Sequence, residues 1–302
     1  MILTDSPVLI AAALLALSLL LSLVVILRNQ PVLRRKVEVD SGFEGTFAEL
    51  WRETVPHLVE LRNRLLYSVI VLALMTVVCF TFAPQMLELL RRPLPPDANV
   101  VAATITDQLG MFMRISLTAG FILAVPFIAT QFWIFVAQAL KSNERRYVYW
   151  FVPGATLLFV AGVSFAYFVM LPAAIPFLLQ IFPDVPSFLR LSDYVADVTR
   201  LLFWVGLSFE MPLLLAALAR VGLITAHQLL HGWRVAIVVI AVVAALVTPT
   251  ADPINMGLVM LPLFVLYLLS VLLAALVRRE KKAPKPRKPK RQFRLFRRKS
   301  RS

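Results

Sequence analysis

Long apolar runs separated by short polar segments dominate the pattern of this sequence. They are Val8–Leu27, Leu65–Phe82, Met111–Ala137, Val148–Leu171, Leu201–Leu218, Val235–Val247 and Met256–Val277. A helix needs about 20 apolar residues to cross a bilayer, and no strand-like alternation of apolar and polar residues competes with helix here. The pattern therefore predicts an all-α polytopic membrane protein with seven spans.

Composition supports a membrane location, because 60% of the residues are apolar and soluble domains contain roughly 45–50%. One run is unusually short. As a helix, Val235–Val247 would cover only about 20 Å at 1.5 Å per residue, whereas the hydrocarbon core measures about 30 Å. We expect local thinning of the bilayer at this helix, or helix ends that lie in a polar cavity.

The distribution of Lys and Arg predicts the orientation of the spans. One set of loops is rich in these residues: Arg28, Arg34, Arg35, Lys36, Arg52, Arg62, Arg64, Lys141, Arg145, Arg146, Arg220 and Arg234. The opposite loops hold Arg91, Arg92 and Arg190. The rich side should face the cytoplasm, which places the N-terminus outside and the C-terminus in the cytoplasm.

Four segments follow from this pattern. Residues 1–27 form an N-out transmembrane anchor, because this stretch has no positive n-region and its apolar run exceeds that of a secretory signal peptide. Residues 28–55 form a polar cytoplasmic linker, in which Thr46 could cap a helix that starts near Phe47. Residues 56–277 hold the other six spans, and residues 278–302 form a tail.

The tail carries most of the net charge of +14, since it contains fourteen Lys or Arg residues and one acid, Glu280. Three prolines interrupt these like charges, so the tail should not fold alone. Nucleic-acid binding is one interpretation of such a tail. We favour anionic lipids of the inner leaflet, which attract each basic residue by about 1 kcal/mol, and expect no nucleic-acid partner.

Four polar motifs stand out at span edges and inside spans. They are Pro56–Leu66 with Glu60, Ala139–Arg146 with Glu144, Val205–Pro212 with Glu210, and the turn Thr248–Asn255. From local physics alone, Glu60 could simply pair with Arg64 one helical turn later, and Glu144 could be a solvated loop acid. A carboxylate inside a span costs at least about 2.5–3.5 kcal/mol, so Glu210 should face a cavity or be protonated and hydrogen-bonded. Pro212 should kink its helix.

These motifs resemble those of the TatC family, the multi-span subunit of the twin-arginine protein translocase. The first matches the pattern His-Leu-x-Glu-Leu-Arg-x-Arg, and the others resemble Ala-Leu-x-x-x-Glu-Arg-Arg, Phe-Glu-x-Pro and Thr-Pro-x-Asp. The resemblance covers residues 56–277 and implies a six-span core plus one extra N-terminal helix. The chain departs from the pattern at Gln138, where many members have proline, and at Asn255–Met256, where many have glutamine.

The resemblance also implies a function in the inner (cytoplasmic) membrane. The protein would recognise twin-arginine signal peptides of folded precursors and nucleate an export complex driven by the proton-motive force. Signal-peptide binding would involve Glu60, Glu144, Arg62 and Phe135, with Glu210 as an intramembrane polar site. Thr248 and Asn255 would help to dock single-span TatA and TatB subunits, giving homo- and hetero-oligomers.

No residue pattern predicts an enzyme, a metal site or a cofactor. His227 and His231 lie one helical turn apart with no third ligand nearby, and zinc normally needs three or four. The sequence has no nucleophile elbow, P-loop or Rossmann pattern. A proton-coupled secondary transporter that uses Glu210 is the alternative function, although no internal repeat supports it.

Overall fold

A computed structural model describes residues 7–29, 47–95, 100–101, 104–139, 148–180, 189–248 and 253–277. Helices dominate these ranges, as the apolar pattern predicts. They are α1 (Pro7–Arg28), α2 (Phe47–Thr81), α3 (Ala83–Arg91), α4 (Ile105–Ala139), α5 (Val148–Phe165), α6 (Leu171–Gln180), α7 (Leu191–Ser208), α8 (Met211–Val221), α9 (Ala226–His231), α10 (Trp233–Val247) and α11 (Pro253–Val277). A π-helical turn, Ala166–Met170, joins α5 to α6.

Six helical stretches in the described part of the chain are long and apolar enough to cross a membrane. They are Ala11–Arg28, Val55–Thr81, Thr106–Gln138, Trp150–Phe177, Leu191–Val221 and Met256–Val277. The remaining apolar helix is α10, which has only 15 residues. The all-α architecture with an extra N-terminal helix is therefore confirmed, and the predicted run Val235–Val247 forms a shorter helix, as its length indicated.

Helix α2 extends well beyond its apolar run. It begins at Phe47, inside the residues assigned to the linker, and continues through Pro56 to Thr81 as one helix of 35 residues. Thr46, the predicted cap, lies outside the described residues. The polar motif around Glu60 is thus part of the same continuous helix as the membrane span that follows it.

Helix α4 lies at the centre of the fold, packed against α1, α2, α5 and α7. Its closest approach is to α2. A Cβ atom built on Gly120 would lie 2.7 Å from the backbone N and Cα atoms of Thr76, so only glycine fits at this crossing. This contact holds the two helices that carry the polar residues described below.

The N-terminal helix α1 packs along α4. Its small polar residues Ser18 and Ser22 are buried, as is common where membrane helices pack closely. Leu14 and Leu15 pack against a cluster that contains Cys79, and Ile26 packs against a cluster that contains Trp133. The C-terminal end of α1 is therefore at the same end of the fold as Glu60, and its N-terminal end is at the other.

Two short strands and the short helix α3 lie at the end of the fold opposite to Glu60. Strand β1 (Val100–Val101) pairs in parallel with strand β2 (Leu189–Arg190), which ties together two loops that are distant in sequence. Tyr167 and Tyr194 each donate a hydrogen bond of 2.7 Å to a carbonyl at the end of α3. These contacts fix α3 across the ends of the spans.

Candidate functional site

Four polar side chains meet where α2 and α4 pack together at one end of the fold. Glu60 and Arg64 are one turn apart on α2, while Gln131 and Gln138 are two turns apart on α4. These spacings place each pair on a single helix face, and the close crossing at Gly120 turns the two faces towards each other. We call these four residues the α2–α4 polar cluster.

Hydrogen bonds connect all four residues of the α2–α4 polar cluster. The Nε atom of Arg64 donates to Glu60 Oε1 at 2.9 Å, and its Nη2 atom donates to the same oxygen. Its Nη1 atom donates to Gln131 Oε1 at 3.2 Å. The side-chain amide of Gln138 also donates to Glu60 Oε1.

The residues of the α2–α4 polar cluster differ in how much of their surface is exposed, and this difference indicates their roles. Arg64 is 8% exposed and Gln131 is 5% exposed, so both belong to the helix interface. The side chain of Glu60 keeps 32% of its surface accessible. A carboxylate has about four acceptor positions on two oxygens, and the hydrogen bonds of the described residues all reach Oε1. Glu60 is therefore held in place and can still accept bonds at Oε2.

An aromatic contact extends the site along the same two faces. The ring of His57 stacks on the ring of Phe135, with centroids 4.4 Å apart and planes at 20°. His57 precedes Glu60 by one turn on α2, and Phe135 lies between Gln131 and Gln138 on α4. The structure thus brings Phe135 and Glu60, both selected from the sequence, to one location.

Arg64 is the arginine that holds the Glu60 side chain in place. Arg62, which the sequence analysis placed in the signal-peptide site, is exposed, and its guanidinium donates hydrogen bonds to the side-chain oxygen of Asn63 at 3.3 and 3.4 Å. Position explains this difference, because residues four apart on a helix are neighbours whereas residues two apart point to different sides. The local ion pair considered as an alternative for Glu60 does form, and it coexists with a partly exposed carboxylate.

Removing Arg64 should destabilise the protein. Breaking a buried ion pair costs roughly 3–5 kcal/mol, and we expect about 2 kcal/mol for Arg64→Leu, because Glu60 is partly exposed and water can compensate in part. Arg62→Leu, the matched control on the same helix turn, should change the free energy of unfolding by less than about 0.5 kcal/mol. Unfolding of both variants in detergent micelles would measure this difference, and equal losses of stability would contradict the assignment.

Glu210 lies where the fifth long span is interrupted. Helix α7 ends at Ser208 and α8 begins at Met211, with Pro212 in its first turn, so the helix is interrupted at the place where Pro212 predicts a kink. The Oε1 atom of Glu210 is buried and has no hydrogen-bond partner among the described residues. Next to it, the ring of Phe209 packs so closely on Gly162 that a Cβ there would lie 2.6 Å from the ring.

Other predicted site residues lie apart from the α2–α4 polar cluster. Thr248 is buried at the end of α10, where its hydroxyl donates to the carbonyl of Ala244 at 2.9 Å. Asn255 lies in the first turn of α11. Glu144 falls outside the described residues, as do residues 249–252 of the predicted docking turn and the whole basic tail.

No group of three metal-binding side chains is found within the residues that the structure describes. The rings of His227 and His231 stack on each other, with centroids 5.6 Å apart. The chemistry that the described site offers is recognition of a cation by a positioned carboxylate.

Comparisons of this chain with known proteins all point to the same protein family. The family model "Sec-independent protein translocase protein (TatC)" matches residues 56–262. The Sec-independent protein translocase protein TatC of Deinococcus radiodurans is 38% identical over 218 residues, covering 70% of this chain and 81% of that protein. The TatC protein of Aquifex aeolicus is 37% identical over 216 residues, covering 70% and 89% of the two chains.

A solved structure agrees with these relatives. The crystal structure described as twin arginine translocase receptor TatC superimposes with a TM-score of 0.68 at 36% identity, covering 74% of this chain and 100% of that chain. These similarities support a translocase subunit and give no support to the secondary-transporter alternative. The family match begins at Pro56, so α1 and the start of α2 lie outside it.

Proposed function

The chain belongs to the TatC family and is a subunit of the twin-arginine protein translocase, and from this we propose that the α2–α4 polar cluster binds the paired arginines of signal peptides. The observation that carries the proposal is the Glu60 carboxylate, which is anchored through Oε1 and remains 32% exposed. An arginine guanidinium pairs with a carboxylate through parallel N–H···O bonds, so an anchored and accessible Glu60 is suited to it.

Charge balance argues for a second acid. Within the cluster, the positive charge of Arg64 neutralises Glu60, so Glu60 alone gives little net attraction for two additional guanidinium groups. We propose that Glu144, which follows the end of α4 by five residues, supplies the second carboxylate. The His57–Phe135 stack would border the site, and exposed Arg62 would be placed to meet lipid phosphates.

The remaining assignments extend this proposal to the whole assembly. The site would face the cytoplasm, with the N-terminus outside and the basic tail on the anionic inner leaflet. Single-span TatA- and TatB-like subunits would dock near Thr248 and Asn255, and Glu210 would provide a polar position inside the membrane. Loading of the signal-peptide site would nucleate the export complex, with transport driven by the proton-motive force.

A peptide-binding measurement tests the central proposal. Purified protein in lipid nanodiscs should bind a labelled signal peptide that contains paired arginines at least about tenfold more tightly than the same peptide with paired lysines. Arginine forms a planar fork that matches a carboxylate, whereas lysine offers a single ammonium. Equal affinity for the two peptides, or no binding of either, would contradict the proposed function.

A further inference from the structure

Gln138 is a site residue that no motif pointed to. It stands one residue before the end of α4 and donates its side-chain amide to the same Glu60 oxygen that Arg64 contacts. The resemblance marked this position only as a departure, with proline expected. The contact spans 78 residues of sequence, so it became visible only in the fold.

One oxygen of Glu60, Oε1, already accepts as many hydrogen bonds as it can. Arg64 Nε, Arg64 Nη2 and Gln138 Nε2 all donate to Oε1, although a carboxylate oxygen has only about two acceptor positions. A guanidinium that binds bidentately must place one N–H on each oxygen. A fourth donor would find no acceptor position on Oε1, so a ligand arginine must take the place of one of the three present donors.

Arg64 is the donor that stays. It is buried, it carries the charge that balances Glu60, and Gln131 holds its other nitrogen. Gln138 is neutral, partly exposed and placed in the last turn of its helix, so it can be displaced at much lower cost. We propose that Gln138 is a specificity-determining residue, whose amide occupies the acceptor on Glu60 that a bidentate guanidinium ligand requires.

The proposal rests on the proposed function of Glu60 and makes a distinct statement about ligand choice. A lysine ammonium can bind through Oε2 alone and leaves Gln138 in place. An arginine must displace Gln138 to form its second bond. Gln138 therefore weakens the binding of arginine peptides more than that of lysine peptides, and it sets the ratio between the two affinities.

The direction in which peptide affinity changes when Gln138 is replaced tests this statement. For Gln138→Ala, we expect the paired-arginine peptide to bind about three- to tenfold more tightly, and the paired-lysine peptide to change by less than about twofold. A hydrogen bond to a charged group is worth more than this, but water replaces part of what the amide contributed. Gln138→Leu, which keeps the bulk of the side chain, should show the same sign.

Gln131→Leu is the matched control, because Gln131 lies on the same face of α4 but bonds Arg64. It should not tighten binding of the paired-arginine peptide. Unchanged or weaker binding by both Gln138 variants would overturn the inference, as would equal tightening by Gln131→Leu. Glu60→Gln separates the two levels of the argument: if this variant binds the arginine peptide as the wild type does, the proposed function itself fails.

Discussion

Export of a twin-arginine reporter should be abolished in the Glu60→Gln variant and in the Glu144→Gln variant, while the protein still inserts in the membrane. Removing one partner from a hydrogen-bonded charge pair typically costs 2–5 kcal/mol, which corresponds to a loss of roughly 30-fold or more in affinity for the signal peptide. In Glu60→Gln, the new amide oxygen can still accept from Arg64, so the cluster keeps its shape and loses its negative charge. Reporter location, followed by cell fractionation, measures the effect.

Glu88→Gln is the control for this prediction. Glu88 is exposed on α3, at the end of the fold opposite to Glu60, and its loss should leave export unchanged. Immunoblots of the membrane fraction should show normal levels of all three variants. If a variant that carries both Glu60→Gln and Glu144→Gln still exports the reporter at the wild-type level, the proposed arginine site is contradicted.

The membrane spans could be predicted closely, because the thickness of the bilayer fixes how many apolar residues a helix needs. The break before Glu210 was also predictable, since Pro212 lacks the N–H that a continuous helix would use. The start of α2 could not be derived in the same way. In residues 47–55, charged side chains interrupt the apolar ones at Glu49, Arg52 and Glu53, so the continuous apolar run stops at the membrane edge although the helix does not.

The candidate site was only partly predictable for a related reason. The resemblance to the TatC family identified Glu60 and Phe135, which the structure brings together with His57 and Arg64. Spacing along α2 does not reveal which face meets α4, so Arg62 and Arg64 could not be separated. Gln131 and Gln138 are polar residues near the end of an apolar helix, and only the packing of α2 on α4 gives them a role.

The packing of the extra helix was beyond sequence reasoning as well. Val8–Leu27 reads as a uniform apolar run, in which Ser18 and Ser22 are minor interruptions. In the fold, these two serines are buried contacts of α1, whereas Leu20 and Leu23 on its other side are exposed. Hydropathy alone cannot indicate that direction, because in lipid the exposed face of a helix is as apolar as its buried face.

The close crossing of α2 and α4 gives the largest expected effect on stability. In Gly120→Ala, the new Cβ would lie 2.6 Å from Thr76 Oγ1 and 2.7 Å from the Thr76 backbone. A backbone cannot rotate away as a side chain can, so the two helices must separate. Overpacking typically costs 1–3 kcal/mol and occasionally more. We therefore expect a loss of about 3 kcal/mol in unfolding free energy, together with weaker binding of the paired-arginine peptide.

Gly110→Ala provides the control within the same helix, because nothing lies within 4 Å of a Cβ built at that position. Alanine favours helix over glycine by up to about 1 kcal/mol, so this variant should be at least as stable as the wild type. The double variant Thr76→Ala, Gly120→Ala tests the cause, since it removes Oγ1 but keeps the backbone atoms at 2.7 Å. It should remain destabilised. Full recovery of stability would show that the side chain of Thr76, rather than the approach of the two backbones, sets the crossing that positions Glu60 against Gln138.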